Sequence, residues 1–448
     1  MPITPTTRTT HPTTAPTRWT NWARTVTAEP AAVERPATVE QLQEAVAAAA
    51  GRGSRVKPVG AGHSFTPAAA TDGVQVRLDL LTGVLRADRT TGLVTVLAGT
   101  RLRDLSETLW PLGLALQNLG DVDVQTISGA LATGTHGTGA GFPGLAGTVR
   151  GLDLVLPDGS LLHADAGHEP DVLAAAAVGL GAFGVVATVN LQCVPAFVLV
   201  AAEAPEPLDA VLADLDGFAE GSDHAEFYWF PHTRRALTKR NTRLPRDAPL
   251  HPLGAGRRWL DDELLANTVF KGLNRVTAAR PRLVPRVNAV AARALWARHY
   301  TDRSYRVFAS SRRVVFREME YALPRDAVPE VLDGIERWLA TSGEHVAFPV
   351  EVRFADADDV WLSTGYGRPV AYVAVHQYWR RDHERYFSAV EALCRAAGGR
   401  PHWGKLHSLG AAELAPLYPR FADAVAVRDR LDPGRTFANA YTEQVLGP

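Results

Sequence analysis

Cysteine is nearly absent from this chain of 448 residues, with only Cys193 and Cys394 present. They lie far apart and in no C-x-x-C or other redox or metal spacing. Both therefore read as buried small apolar residues, and nothing demands an oxidising compartment. No stretch of eighteen apolar residues occurs, which removes a membrane-spanning helix. Neither sign of charge prevails, since 47 Lys+Arg stand against 48 Asp+Glu for a net charge of -1. That balance leaves no global electrostatic footprint for nucleic acid. Internal repeats are missing, as are a G-x-S-x-G segment and a Ser/His/Asp grouping. None of the 14 histidines joins a metal-ligating pattern. His402 and His407 lack matching carboxylates, so no metal is expected.

What is there is ordinary globular material: 46% hydrophobic and 21% charged residues. Such usage excludes disordered, collagen-like and disulfide-stapled classes, and the length suggests two or three domains. Residues 1–18 are threonine-rich without the apolar core of a signal peptide, and read as a disordered leader on a cytoplasmic protein. Thr38 and Gln41 form a capping box that opens a helix running to about Ala50, which Gly51-Arg52-Gly53 ends. Short strands at Arg55 to Val59, Val74 to Leu78 and Leu93 to Ala98 alternate with helices as far as about residue 195, a pattern of mixed α and β layers. From 205 to 345 longer helical patterns take over. Strands return at Val314 to Leu323, Ala347 to Phe354 and Val370 to Trp379. Boundaries are placed to give segments 19–196, 197–415 and 416–448.

Three glycine-rich segments stand out in the first half. Val59-Gly60-Ala61-Gly62-His63-Ser64-Phe65 follows a strand, and glycines there let backbone N–H groups line a concavity. It is neither a Rossmann fingerprint nor a P-loop. Between Ser128 and Gly144 six of seventeen residues are glycine. Each costs about 1 kcal/mol in a helix, so a regular helix past Gly134 is excluded. This stretch, which includes Gly129, Thr133, Thr135, His136 and Gly137, offers amides and hydroxyls suited to an extended polar cofactor. Gly181 to Gly184, running into Val185 and Val186, is the third segment. In the second half, strand alternation puts Glu351 and Arg353 on one face, with Val350, Val352 and Phe354 on the other. Lys405 sits among aromatics in His402-Trp403-Gly404-Lys405, either snorkelling or held against an anionic ring.

As a set, in this order and spacing from about residue 19 to the end, these motifs resemble the vanillyl-alcohol-oxidase type of FAD flavoproteins. Within that type they are most similar to the aldonolactone and alditol oxidoreductases. The resemblance implies an α+β fold: a two-subdomain FAD-binding domain over 19–196, and an α+β substrate (cap) domain over 197–415. Residues 416–448 would return to the FAD domain. It implies a covalent bond from His63 to the flavin 8α-methyl carbon. Cofactor contacts would come from Val59 to Phe65, Ser128, Gly129, Thr133 to Gly137, Gly184 and Val186. In the reaction it implies, a carbinol delivers hydride to flavin N5 while charge develops near N1. Glu351 would orient substrate hydroxyls, Arg353 would fix the glutamate, and Lys405 would supply positive charge. Lys405 and Glu351 both remain candidates to take the hydroxyl proton.

The position that offers a serine hydroxyl in alditol oxidases aligns with Ala130, which weakens a polyol substrate. The strand ending in His376-Gln377-Tyr378 resembles the lactone-oxidising members, with Arg380 in the place of their basic residue. Ala130, His376, Tyr378 and His402 are thus expected at the substrate. The favoured substrate is an aldono-1,4-lactone, with dioxygen or another electron acceptor, and an alditol is the alternative. Gly129 or Ala130 is expected beside flavin C4a, where a small residue admits oxygen. From Lys271 to Arg317 there are twelve Lys/Arg and one acid, Asp302. That run reads either as a solvated helical face or as a peripheral contact with an anionic membrane.

Overall fold

The computed structural model describes residues 18–258, 267–310 and 314–448. The expected leader falls, but for Arg18, outside the described residues. Two sheets build the first half. A parallel one contains β1 (Ala32–Glu34), β2 (Val56–Val59) and β3 (Val74–Arg77), in the order β1-β3-β2. An antiparallel one contains β4 (Val84–Ala87), β5 (Leu93–Leu97), β6 (Val149–Val155), β7 (Leu161–Asp165) and β8 (Val185–Gln192), in the order β7-β6-β8-β5-β4. Helix α1 (Val39–Gly51) connects β1 to β2 and drops Leu42, Val46 and Ala49 into the core that joins both sheets. Thr38 accepts from the Gln41 amide, as a capping residue should. The Gln41 side chain, however, accepts from the Ala37 N–H rather than from Thr38, so the box closes one residue early.

The second half is dominated by one antiparallel sheet, eight-stranded among the described residues. Its strands are β9 (Phe197–Pro207), β10 (His224–Trp229), β11 (Arg235–Pro245), β12 (Arg298–Arg303), β13 (Phe316–Leu323), β14 (Val350–Ala355), β15 (Val370–Tyr378) and β16 (Arg400–Pro401). They lie in the order β12-β9-β11-β10-β14-β15-β13-β16. One face packs on α7 (Val328–Ser342) and α8 (Glu384–Ala396) through Phe227, Met319, Val352, Val373 and their neighbours. The other face is polar and looks toward the first half. This corrects the helical reading of 205–345, which overlooked β9 to β12. Strand β11 reads Arg-Ala-Leu-Thr-Lys-Arg-Asn-Thr-Arg, too charged for a strand signal, because its cations are neutralised across the sheet. Lys239 pairs with Glu226 and Arg240 with Glu206.

The last residues pack on the first half. Helices α9 (Phe421–Leu431) and α10 (Ala440–Leu446) follow one another, with Phe437 between them in the α1 core. The Asn439 amide donates to the carbonyls of Pro67, Ala68 and Ala70. Lys57, 1% exposed, donates from Nζ to the carbonyls of Phe437, Leu180 and Gly181. Burial pulls its pKa down to about 7 against the opposing pull of Asp432. One side chain thus ties β2, the third glycine segment and the C-terminal segment together. Lys57→Met is expected to cost about 3 kcal/mol, since buried carbonyls would lose a charged donor. An unchanged urea midpoint would show that they are satisfied otherwise.

Candidate active site

The three glycine segments, scattered in sequence, line a single cleft. Gly60 to Ser64 form one wall, Ser128, Gly129 and Thr133 a second, and Gly179 to Gly184 with Val186 a third. No Asp, Glu, Lys or Arg among the described residues lines it. The backbones come close enough that side chains would not fit. A Cβ on Gly60 would meet Thr126 Oγ1 at 2.2 Å, and one on Gly129 would meet the same oxygen at 2.9 Å. Thr126 is itself the cap of α3 (Ile127–Ala132) and accepts from the Gly129 amide. Such a narrow, uncharged, amide-walled cleft suits a long polar cofactor read through its backbone contacts. The residues present therefore fit FAD.

A second cavity of about 340 Å³ adjoins the cleft, and His63, Ser64, Gln125 and Thr133 line both. His63 stands at this junction with its ring stacked on Trp22 at 5.4 Å. Burial, then the charges of Arg101 and Lys405, press its pKa down to about 4, so the imidazole is neutral at pH 7. The chamber is rich in charge: Asp121, Asp123, Glu318, Glu320 and Glu351 face Arg103, Arg353 and Lys405.

Each charged side chain is placed by the sheet. On β14, Glu351 and Arg353 point into the chamber while Val350, Val352 and Phe354 enter the core. Arg353 forms an ion pair with Glu351, donates from Nε to Glu226 at 2.8 Å, and stands 3.6 Å from Asp121. Tyr228 donates to Glu351 at 3.3 Å. Burial disfavours the Arg353 cation, but Glu351 and Glu226 outweigh it and hold the guanidinium charged.

Lys405 reaches the chamber because its loop is clamped. The Phe65 amide donates to the Gly404 carbonyl, while Thr66 and Tyr441 donate to that of Trp403. Its ammonium lies 2.5 Å from Glu318, which also faces His376 at 3.4 Å. Burial alone would lower Lys405, yet Glu318 and Glu320 raise it above the ordinary lysine value. Lys405 is therefore a cation at neutral pH.

His136, Glu320 and His402 come together in space although their spacing in sequence says nothing of it. His136 donates from Nδ1 to the Gly137 carbonyl and turns Nε2 to Glu320 at 3.3 Å. His402 accepts the Gly404 N–H at Nδ1, which puts its proton on Nε2. Burial holds His402 down at about 3, and hence neutral. The trio thus forms one buried polar cluster.

Several of the expected contact residues line neither the cleft nor the chamber. Val59 is buried in β2 and lines neither cavity. Ala130, fully buried, faces the core because α3 turns Gly129 and Thr133 to the cleft instead, so it carries no argument about substrate. Gly134 and Gly137 line neither cavity. Gly134, at φ +76°, ends α3, and Gly137 lets Asn118 approach. Tyr378 is buried in an aromatic cluster and does not itself line the chamber, and Arg380 stacks on Trp379 at the surface. His376 lines a third, apolar cavity behind the chamber. Phe65, Thr135, His136 and His402 do line the chamber. Sequence reasoning missed Glu318 and Glu320 on β13, Glu226 and Tyr228 on β10, and Lys239 on β11. The alternation Glu318-Met319-Glu320 was the available signal for two of them.

Sequence comparison agrees with this architecture. Residues 189–445 match the D-arabinono-1,4-lactone oxidase family, and residues 30–165 match an FAD binding domain. The L-gulono-1,4-lactone dehydrogenase of Mycobacterium tuberculosis is 42% identical over 433 residues, covering 96% of this chain and 99% of that one. The L-gulonolactone oxidase of Bos taurus is 34% identical over 436 residues, covering 96% and 98%. Among solved structures, cholesterol oxidase from B. sterolicum superposes with a TM-score of 0.80 at 19% identity, covering 96% of each chain, a likeness of fold. The α+β fold with an FAD-binding half is thus the one expected, and the chain belongs to the D-arabinono-1,4-lactone oxidase family of FAD-dependent oxidoreductases.

Proposed function

We propose that this protein oxidises the carbinol of an aldono-1,4-lactone, of the L-gulono- or D-arabinono- kind, with FAD in the glycine-walled cleft. The carrying observation is that this uncharged cleft opens, at His63, into a chamber holding the Glu351–Arg353 and Glu318–Lys405 pairs. FAD held by the glycine segments would supply a two-electron acceptor for the carbinol hydride. Arg353, held by Glu226, fixes Glu351, and the Glu351 carboxylate receives substrate hydroxyl hydrogen bonds. Lys405 acts as a cation beside the reacting oxygen and the flavin ring. Glu318 and Glu320 favour the protonated form of Lys405, so it serves as the cation and Glu351 is the group that takes the hydroxyl proton. His63, neutral at the junction, has a nitrogen lone pair for covalent attachment to the flavin. Dioxygen or another acceptor completes the cycle, and the cytoplasm is the proposed address. No helix among the described residues is long and apolar enough to cross a membrane.

The test begins with an absorption spectrum and an acid precipitation. Yellow colour is expected to stay with the pellet and to move to the supernatant in His63→Ala. Colour released from the native protein would remove the covalent bond while leaving the cofactor. Anaerobic addition of L-gulono- or D-arabinono-1,4-lactone should then bleach the flavin. Bleaching by xylitol and not by either lactone would replace the lactone with a polyol.

A further inference from the structure

Helices α5 (Phe270–Ala279) and α6 (Val284–Arg293) carry apolar residues outward. α5 buries Asn274 and Thr277, and α6 buries Asn288 beside Val284 and Ala292, while Val276 and Val290 are 52% and 65% exposed, and Trp296 beyond them 41%. Val269 and Leu273 are exposed beside them. An apolar face of this size on a water-facing helix pair calls for an apolar neighbour. Lys271, Arg275, Arg280, Arg282, Arg286 and Arg293, all exposed, surround it, with no acid between residues 271 and 301. Apolar residues inside a cationic rim match an anionic lipid surface.

Behind this face lies an apolar cavity of about 820 Å³, walled by Phe270, Val287, Ala291 and Leu295 on one side and by Phe230, Phe316 and Phe348 on the other. It shares a wall with the catalytic chamber, since Ser310, Phe316 and Glu351 line both. His376 lines it as well and is linked through Glu318 to Lys405. A sugar lactone has no use for such a wall, dioxygen needs no cavity of this volume, and a protein acceptor cannot enter it. A flat apolar ring with a hydrocarbon tail fits both its size and its lining.

We propose that this cavity binds a lipid-soluble quinone, which enters through the α5–α6 face from an anionic membrane and serves as the electron acceptor. The balance closes. Oxidation of one carbinol to a carbonyl releases two electrons and two protons, and the quinone takes up both to become the hydroquinone. Glu351, the proposed acceptor of the substrate proton, lines both the chamber and the cavity, which gives that proton a route to the quinone. The inference rests on the oxidoreductase reading above.

The test uses holoenzyme and a decyl-substituted benzoquinone, with binding measured by calorimetry so that the result does not depend on turnover. Ala291→Trp, filling the cavity, and Ala294→Trp, at its exposed mouth, should each weaken binding at least tenfold. Lactone turnover with ferricyanide should stay unchanged. The native protein should sediment with phosphatidylglycerol vesicles and not with phosphatidylcholine, and Val276→Asp/Val290→Asp should abolish sedimentation. Absent quinone binding, or binding that neither tryptophan weakens, would overturn the proposal. A raised KM for lactone in Ala291→Trp with quinone affinity unchanged would also overturn it, assigning the cavity to the substrate. Loss of ferricyanide turnover in the native protein would instead sink the function on which the proposal rests.

Discussion

Lys405→Met is expected to lower the rate of anaerobic flavin reduction by lactone about 10²- to 10³-fold, the usual cost of removing one preorganised charge from a transition state. Methionine keeps the length and apolar stem, so the loop from His402 to Lys405 should hold its place. The effect reaches beyond the reaction, because Lys405 stands 2.5 Å from the buried Glu318. In the native chain burial works against the Glu318 charge, but Lys405 and then His376 prevail and hold the carboxyl well below the ordinary range. Its contribution to stability is therefore complete above the unfolded value of about 4.3 and fades only as pH falls toward the lower folded value. Without the ammonium, burial is opposed by His376 alone and the carboxyl rises. The variant should lose about 3 kcal/mol, as expected when half of a buried ion pair is removed. Its deficit should widen as pH rises from 5 to 8, since the folded state must then hold an unpaired charge or a proton. Thermal unfolding at the two pH values measures this. A deficit independent of pH would mean that Glu318 is not Lys405's principal partner.

Arg353→Lys is expected to lower kcat/KM about 10²-fold, although charge is conserved. The guanidinium reaches Glu226 through Nε and Glu351 through Nη2 at once, whereas an ammonium is a point charge that satisfies one carboxylate. Glu351 would lose its fixed orientation, and a displacement of about 1 Å at a positioned group is enough for a loss of this size. Steady-state kinetics with saturating acceptor should show KM raised together with a lower kcat, while the flavin spectrum stays native. An unchanged KM would show that Glu351 is held by Tyr228 alone.

Legibility followed the range of the interactions. The loop from Gly60 to Phe65 and the pair Glu351 and Arg353 could be read because turn glycines and strand parity are local. Position in the chamber was harder. Tyr378 follows His376 by two residues and shares its parity, yet it packs in an aromatic cluster while His376 faces the apolar cavity. The direction in which Ala130 faces was hidden for a similar reason. The spacing of α3 tells which residues share a face with Gly129, but not which way that face turns. Glu318 and Glu320 were missed because each charge makes sense only opposite a partner some eighty or more residues away in the chain.

The amino-acid sequence by itself determined the local devices: the glycines that open backbone to a cofactor, the Thr38 cap of α1, and the alternation that gives β14 one apolar and one charged face. Only the tertiary structure decided that the three glycine segments share one cleft, that Lys405 faces Glu318, and that α5 and α6 carry apolar residues outward. The physical reason is that backbone conformation and strand parity depend on neighbours a few residues away. The balance of charge in a buried chamber depends instead on antiparallel register between strands far apart in the chain, and that register is settled when the whole sheet closes over its core.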